Sequence, residues 1–372
     1  MELCFSERDS IFAYMKKITA ILLAALAMSA AIPAAGAQAL PGKFEVKIKS
    51  KDHVQGMAID TASHCFYLSF TTSLVKTDFD GNVLACIDSI NGHLGAMTFD
   101  AHTRKLYASL ECKDDEIGRG IAKHLGTEAY TQDQSRFYVA VVDVDRMDSK
   151  DAMRTYEVAE AIADYKTRYG CSGIDGVTIA PQIGKKNGKP RLYVAYGIYG
   201  DISRRDNDHQ ILLEYKLDAF KGKAVPKASA KYFIFTGNTT WGVQNLCYDP
   251  HTGCIFMASY AGKKPEFPNF SLFAVPVGQK PEKKVLRGLE NDGEHLSLAL
   301  WQQGLLSTVK GVRGWRFGDA CTGICTLGDG IWFVSTPLKL RKGMQTATVR
   351  QLKWKGGPQE NPFETIGASR DR

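Results

Sequence analysis

Residues 53–60 read HVQGMAID, and forty positions on (93 − 53 = 40) residues 93–100 read HLGAMTFD. Self-similarity at a fixed period constrains a fold more than any local propensity, because each copy must be one supersecondary unit stacked on its neighbours. The phrase returns in weaker form as IDGVTIA from Ile174, VQNLCYD from Val243 and TGICTL from Thr322. Each copy is a short apolar stretch entered through small or polar residues. Each is followed by a second stretch rich in aromatic and β-branched residues: CFYLSF, KLYASL, RLYVAYG, CIFMASY and IWFVST. Such residues suit a pleated, half-buried surface. The linkers DTASH, DAHTR, PQIGKKNGKP, DPHTG and GDG carry the Asp, Pro, Gly and Asn that hairpin turns require.

Two further strands follow in the better copies. They are SLVKTDF and NVLACIDS in the first, QILLEYKL and ASAKYFIF in the third, FSLFAVPV and KKVLRGL in the fourth. Four antiparallel strands per unit are the blade of an all-β propeller. In that architecture HVQGMAID and HLGAMTFD are innermost strands, and their Gly and Ala are small because such strands crowd toward one axis. The copies start near residues 54, 94, 174, 243 and 322. The uneven gaps leave room for insertions at 111–135 and 157–169, the latter helix-like. HLSLAL and GLLSTV, within 290–318, read as the inner pair of a further blade. Six blades are therefore expected, with five or seven as alternatives. FEVKIKS (44–50) precedes the first inner strand and ATVRQLKW (347–354) is a strong final one, so the N-terminal strand is expected to complete the last blade. That closure would remove the open edges a sheet otherwise carries.

The segment MKKITAILLAALAMSAAIPAAGAQAL has a basic start at Lys16 and Lys17, an apolar run Ile18–Ala31, and small residues at Ala37 and Ala39. This is the pattern of a secretory signal peptide cleaved after Ala39, and it predicts a secreted or periplasmic protein. Residues 1–14 precede it and fit no targeting pattern, which places the expected start at Met15. Residues 40–372 are then one propeller domain, expected to be a monomer with no membrane span. The net charge of +7 comes without a basic stripe interleaved with aromatics, so nucleic acid is not expected as a partner. Of the nine cysteines, Cys4 lies before the leader. The other eight lack both CxxC and zinc-finger spacing. Cys247 and Cys254 flank a turn and could face one another across a hairpin. Most of the eight read as buried thiols.

The phrases QGMAID (55–60) and GAMTFD (95–100) resemble the inner strands of the six-bladed NHL, SMP-30/gluconolactonase and strictosidine-synthase-like propellers. Calcium-dependent lactonases of that group hold a metal at the channel mouth with Glu, Asn and Asp side chains. The resemblance implies Asp175 and Asn245 as metal residues here and calcium as the cofactor. No Glu stands in the first copy where that pattern has one, and the site would be poor in the carboxylates that calcium favours.

From the residues themselves, Gln55, Asp175, Gln244, Asn245 and Thr322 form a polar ring at the inner-strand entries. His53 and His93 stand at equal phase above it, and Trp241 opens an inner strand. Asp175, His53 and His93 are the candidate catalytic groups. A plainer role fits all of them: hydrogen bonds to one another and to channel waters. Two loop clusters, DISRRDNDH (201–209) and ECKDDE (111–116), should rim the same face. Tyr196, Tyr199 and Tyr260 end second strands and would stack on sugars if exposed. No G-x-S-x-G, Walker or H-E-x-x-H motif occurs. The expected function is a binding or scaffold propeller for a small molecule, glycan or protein at the channel mouth. The alternative is a metal-dependent hydrolase of lactonase type.

Overall fold

The computed structural model describes residues 39–49, 52–165, 173–197, 209–237, 242–262, 265–287, 289–339 and 344–366. After β1 (Lys43–Lys49), the first copy of the repeat folds as β2 (Val54–Asp60), β3 (Cys65–Phe70), β4 (Ser73–Asp78) and β5 (Val83–Ile87), an antiparallel sheet in chain order. The second copy folds likewise as β6 (His93–Asp100), β7 (Lys105–Cys112), β8 (Arg136–Asp143) and β9 (Met153–Glu157). The third begins with β10 (Gly176–Pro181), β11 (Pro190–Gly197), β12 (His209–Lys216) and β13 (Ala230–Phe235). The fourth has three strands, β14 (Val243–Asp249), β15 (Cys254–Ser259) and β16 (Leu272–Pro276).

The expected sixth blade does not form. KKVLRGL supplies β17 (Glu282–Val285) and HLSLAL supplies β18 (Glu294–Leu298), but these pair with each other, and β18 runs parallel to β13 at the outer edge of the third sheet. GLLSTV contributes β19 (Leu305–Ser307), which pairs only with β20 (Val312–Gly314). Trp315 then bonds back to Leu272 of the fourth sheet. The reason lies in the side chains. β18 leaves four of its five residues at least partly exposed, whereas β2 and β14 are buried along most of their length. An axial strand must be covered on both sides; β18, EHLSL, carries Glu294, His295 and Ser297 in five residues and stays outside.

The last blade is β21 (Ile324–Thr326), β22 (Ile331–Lys339), β23 (Met344–Trp354) and, outermost, β1, with β24 (Phe363–Thr365) on the far half of β23. The N-terminal strand thus closes the ring as expected, in a continuous register from Lys43↔Arg350 to Lys49↔Met344. Contacts between inner strands run in one circle, β2 to β6 to β10 to β14 to β21 and back to β2. Five blades therefore close the ring among the described residues, and the fold is an all-β propeller.

Both ends of the repeated phrase now have a physical reason. Its glycine sits where adjacent inner strands meet: a Cβ on Gly56 would lie 2.6 Å from the Gly95 oxygen and 2.7 Å from the Ala96 Cα. Neither is a side chain that could move aside. Its terminal aspartate caps the following turn. Asp60 accepts from the Ala62 and Ser63 amides at 3.1 Å each, Asp100 from the His102 amide at 3.0 Å, and Asp249 from the Thr252 amide at 3.1 Å. These Asx turns satisfy amides that a two-strand ladder leaves open.

The core lies between blades rather than at the axis. Tyr107, Phe137, Val177, Leu213 and Phe220 fill one such layer between the second and third blades. Trp315, Trp332, Phe256 and Phe363 fill another between the fourth and fifth. Phe44 of β1 packs against Phe66 of the first blade with tilted rings 5.0 Å apart, so the closing strand is packed as well as hydrogen-bonded. Cys247 opposes Phe256 and Cys254 opposes Asp249, which rules out the cross-hairpin pair. Six of the seven described cysteines are buried and all seven are free, in line with the thiol expectation.

Candidate functional site

The inner strands enter the ring together, and their entry residues define one mouth of the channel. The insertion between β7 and β8 stands beside that mouth. Its main element is the helix Glu116–Leu125, begun by Asp115, whose carboxylate accepts from the Gly118 amide at 2.7 Å, and ended by Gly126 in the left-handed region. Asp at the cap and Lys123 and His124 in the last turn suit the helix dipole. Gly118, Ile121 and Ala122 form its buried face.

Four side chains from two blades converge under the start of this helix. His93 opens β6 and lies directly across the ladder from Glu111 of β7. Asp175 comes from the loop entering β10. Lys113 follows β7. His93 Nδ1 stands 3.7 Å from Glu111 Oε2 and 3.8 Å from Asp175 Oδ1. Lys113 Nζ bridges Glu111 Oε2 at 3.0 Å and Asp115 Oδ2 at 3.1 Å. His93 and Asp175 are each only 9 % exposed and Glu111 2 %.

The backbone is shaped around these groups. Glu111 Oε1 accepts from the Ile174 amide at 2.6 Å. That contact needs Gly173: its φ is +121°, and a Cβ there would fall 1.6 Å from Glu111 Oε1. The carbonyl of Asp175 accepts from the Ala96 amide at 3.3 Å and the Ser109 hydroxyl at 3.4 Å, which locks the residue to the second blade. Asp175 Oδ2 takes one long bond, 3.4 Å, from Gln244 Nε2 of the fourth blade. Asp175 Oδ1 and His93 Nε2 are buried without a hydrogen-bond partner. In native folds such atoms are uncommon, and each calls for a water, an ion, a catalytic role or strain to account for it.

Burial and the Glu111 charge together push the Asp175 carboxyl above the ordinary carboxylate range. Burial also opposes ionisation of Glu111, but the Lys113 charge and His93 outweigh it and hold that carboxyl low. Burial disfavours a charged His93, yet Glu111 and Asp175 prevail and raise it. The cluster therefore holds two carboxyls of opposite character around one imidazole.

The remaining predicted residues divide by role. His53 is exposed, and its Nε2 meets Gln55 Nε2 at 2.8 Å. Both line a cavity of about 590 Å³ between the first blade and the helix, with Asp52, Thr72, Lys123 and His124. Asn245 occupies the phase that glycine holds in the first copy. Its amide nitrogen donates to the Gln55 carbonyl at 3.0 Å and the Cys321 carbonyl at 2.8 Å. It thereby ties the inner strand of the fourth blade to that of the first and to the turn Gly318–Thr322 that leads into the fifth, and it is 1 % exposed. Thr322 donates to the Ser335 carbonyl at 2.7 Å and its own carbonyl receives the Ser335 hydroxyl at 2.7 Å, so it too braces strands. Trp241, Tyr199 and residues 201–208 of the DISRRDNDH loop lie outside the described residues. Tyr196 is fully buried and bonds Asp164, while Tyr260 is 38 % exposed.

Glu111 and Lys113 are the site residues that inner-strand reasoning passes over. Glu111 sits on a second strand, at the end of ECKDDE nearest the ladder. The β-bulge between Leu94 and Met97 sets its register opposite His93, and no spacing rule reveals a bulge in advance.

No protein-family model matches the chain, and no curated protein matches it. Solved structures do align with it at low identity. One is the β-propeller domain of Cps50 (Swd1) from Myceliophteria thermophila, at 9 % identity and TM-score 0.31, covering 79 % of this chain and 82 % of that one. Another is a GH43_1 enzyme from Xanthomonas citri, at 9 % identity and TM-score 0.39, covering 87 % and 95 %. At these scores the propeller assignment stands on the strand pairings themselves.

Proposed function

We propose that this chain is an exported binding propeller that takes a small polar ligand at the channel mouth. One observation carries the reading: two buried polar atoms, Asp175 Oδ1 and His93 Nε2, have no partner in a cluster that shares the Ile117 wall with a 590 Å³ cavity. A cavity of that size suits a drug-sized or sugar-sized molecule. Its wall offers carboxylate, imidazole, amide, hydroxyl and ammonium groups in Asp52, His53, Gln55, Thr72 and Lys123. These favour a hydroxyl- or carboxylate-bearing small molecule or glycan over an apolar one. Protein partners remain the weaker reading, since the polar groups point into a concavity.

Export follows from the leader reading of Met15–Ala39. The expected mature N-terminus is Leu40, and N-terminal sequencing of protein recovered from the periplasm tests it. Ligand binding is tested by melting the mature protein against a library of sugars, sugar acids and lactones, with Gln55→Ala and His53→Ala in parallel. A compound that raises the melting temperature of the parent but not of both variants supports the cavity. Hits that ignore both substitutions would place binding elsewhere.

A metal-dependent hydrolase of lactonase type is the second reading. It is favoured by the convergence of His93, Glu111 and Asp175, whose ligand atoms all lie within 4.8 Å of one another. The resemblance implied calcium held by Asp175 and Asn245; of these two only Asp175 belongs to this group. Turnover of any lactone in the same library, lost in Asp175→Asn, would promote this reading over simple binding.

A further inference from the structure

We propose that His93, Glu111 and Asp175 form a three-ligand site for a zinc-class divalent cation, with His93 Nδ1, Glu111 Oε2 and Asp175 Oδ1 as the ligand atoms. The assignment deepens the channel-mouth reading and rests on it.

Spacing is the first argument. His93 Nδ1 lies 3.7 Å and 3.8 Å from the two carboxylate oxygens, too far to hydrogen-bond to either. Metal–ligand bonds of about 2.0–2.2 Å put ligands about 3.4 Å apart at a tetrahedral angle and about 4 Å apart when splayed. The two His93–carboxylate separations fall in that range, and all three ligand atoms lie within 4.8 Å of one another. A small cavity of about 10 Å³ beside them, lined by His93, Glu111, Lys113 and Asp115, has room for one water or ion.

The outer contacts supply the second argument. Each carboxylate has one oxygen fixed by an amide donor and its other oxygen nearest His93. Glu111 Oε1 is taken by the Ile174 amide, while Oε2 meets the Lys113 ammonium. Asp175 Oδ2 faces Gln244, which leaves Oδ1 buried and unpartnered. Outer-shell hydrogen bonds of this kind orient monodentate ligands. Lys113 now sits on Glu111 Oε2 at 3.0 Å, a positive charge where the cation would bring its own. It has a second partner in Asp115 at 3.1 Å to retain when the ion enters.

Donor chemistry decides the class. Calcium takes six to eight oxygen ligands, and a buried imidazole among two carboxylates does not supply them. Imidazole with carboxylate suits zinc and its neighbours, and three protein ligands leave a position open for water or a bound molecule.

The test is calorimetric titration of the chelator-treated mature protein with zinc, manganese and calcium, beside His93→Ala, Asp175→Asn and the far-face control His251→Ala. One equivalent of zinc is expected to bind, with calcium weaker by about a hundredfold or more. Both site variants should weaken zinc by about tenfold to a hundredfold or more, and the control should not. Asp175→Asn keeps the shape of the side chain, and its circular dichroism and melting curve are recorded to check that it folds. The melting temperature of the parent should rise with zinc and that of Asp175→Asn should not. Absence of stoichiometric zinc binding, tighter binding of calcium, or zinc binding that both variants leave intact would overturn the site. If zinc fails while a small molecule still binds in a manner sensitive to Gln55→Ala, the cavity reading stands and only the metal is refuted. If neither binds, both fall.

Discussion

Asn245 is the residue for which the structure changes the expectation most, and Asn245→Ala tests that change. Its amide nitrogen serves the Gln55 carbonyl at 3.0 Å and the Cys321 carbonyl at 2.8 Å, both on other blades. Removing it leaves two acceptors at a buried position and a small void. An unsatisfied buried acceptor costs about 1–3 kcal/mol, so a loss of about 2–4 kcal/mol is expected once partial compensation is allowed. The unit Pro41–Arg372 has 332 residues (372 − 41 + 1). At about 2.1 cal/mol/K per residue its unfolding entropy is about 0.7 kcal/mol/K, which converts the loss to a fall of about 3–6 °C in melting temperature. Asn245→Asp should be worse at neutral pH, because a carboxylate would face two carbonyl oxygens, and should recover in part in mild acid, where a protonated carboxyl can donate again. Differential scanning calorimetry of both variants is the assay. Zinc affinity should change little in the folded Asn245→Ala protein. A variant that melts like the parent, or one that keeps its stability and loses the cation, would refute the clasp and restore Asn245 as a ligand.

Three further outcomes follow from the same geometry. Gly173→Ala would place a Cβ on Glu111 Oε1 at a φ of +121°; thermal melting should show a loss of about 1–3 kcal/mol, with zinc affinity at least tenfold weaker. Gly56→Ala would press a Cβ onto backbone at 2.6 Å and 2.7 Å, and the same assay should show a loss of about 1–3 kcal/mol with no effect on isolated blade pairings far from the axis. Asp60 is opposed in ionising by burial, but the Ser63 hydroxyl and amide and the Arg104 guanidinium outweigh this and hold its carboxyl below the usual range. A depressed folded pKa gives stability that is present above the unfolded value of about 3.9 and is lost as pH falls through the folded one. Melting temperature should therefore drop more steeply in acid for the parent than for Asp60→Asn, and equal slopes would show that Asp60 contributes nothing.

The architecture was legible because its determinants are local. Glycine at the axis and aspartate at the turn recur for steric and hydrogen-bonding reasons that act within a few residues. The closing of the ring by β1 was legible too, since an isolated N-terminal strand has one place to pair. Blade number was not, because HLSLAL and GLLSTV carry the alternation of any strand, and only their half-exposed surfaces show that they lie at outer edges. The candidate site was legible in part. His93 and Asp175 were visible as polar entries to inner strands. Glu111 was hidden by a bulge that sets its register, and Lys113 by its place in a charged loop that reads as solvated. Asn245 and Thr322 were visible as polar channel residues, but their use as braces depends on which carbonyls lie opposite on other blades, a fact of tertiary register.

The central claim is that the channel mouth is built to hold something, and the most direct measurement is a crystal structure of the mature protein grown with zinc, phased to give an anomalous difference map. The account predicts one strong peak about 2.0–2.2 Å from His93 Nδ1, Glu111 Oε2 and Asp175 Oδ1, with Lys113 turned to Asp115. A mouth without a peak, in which His93 closes into direct hydrogen bonds with the two carboxylates, would contradict it.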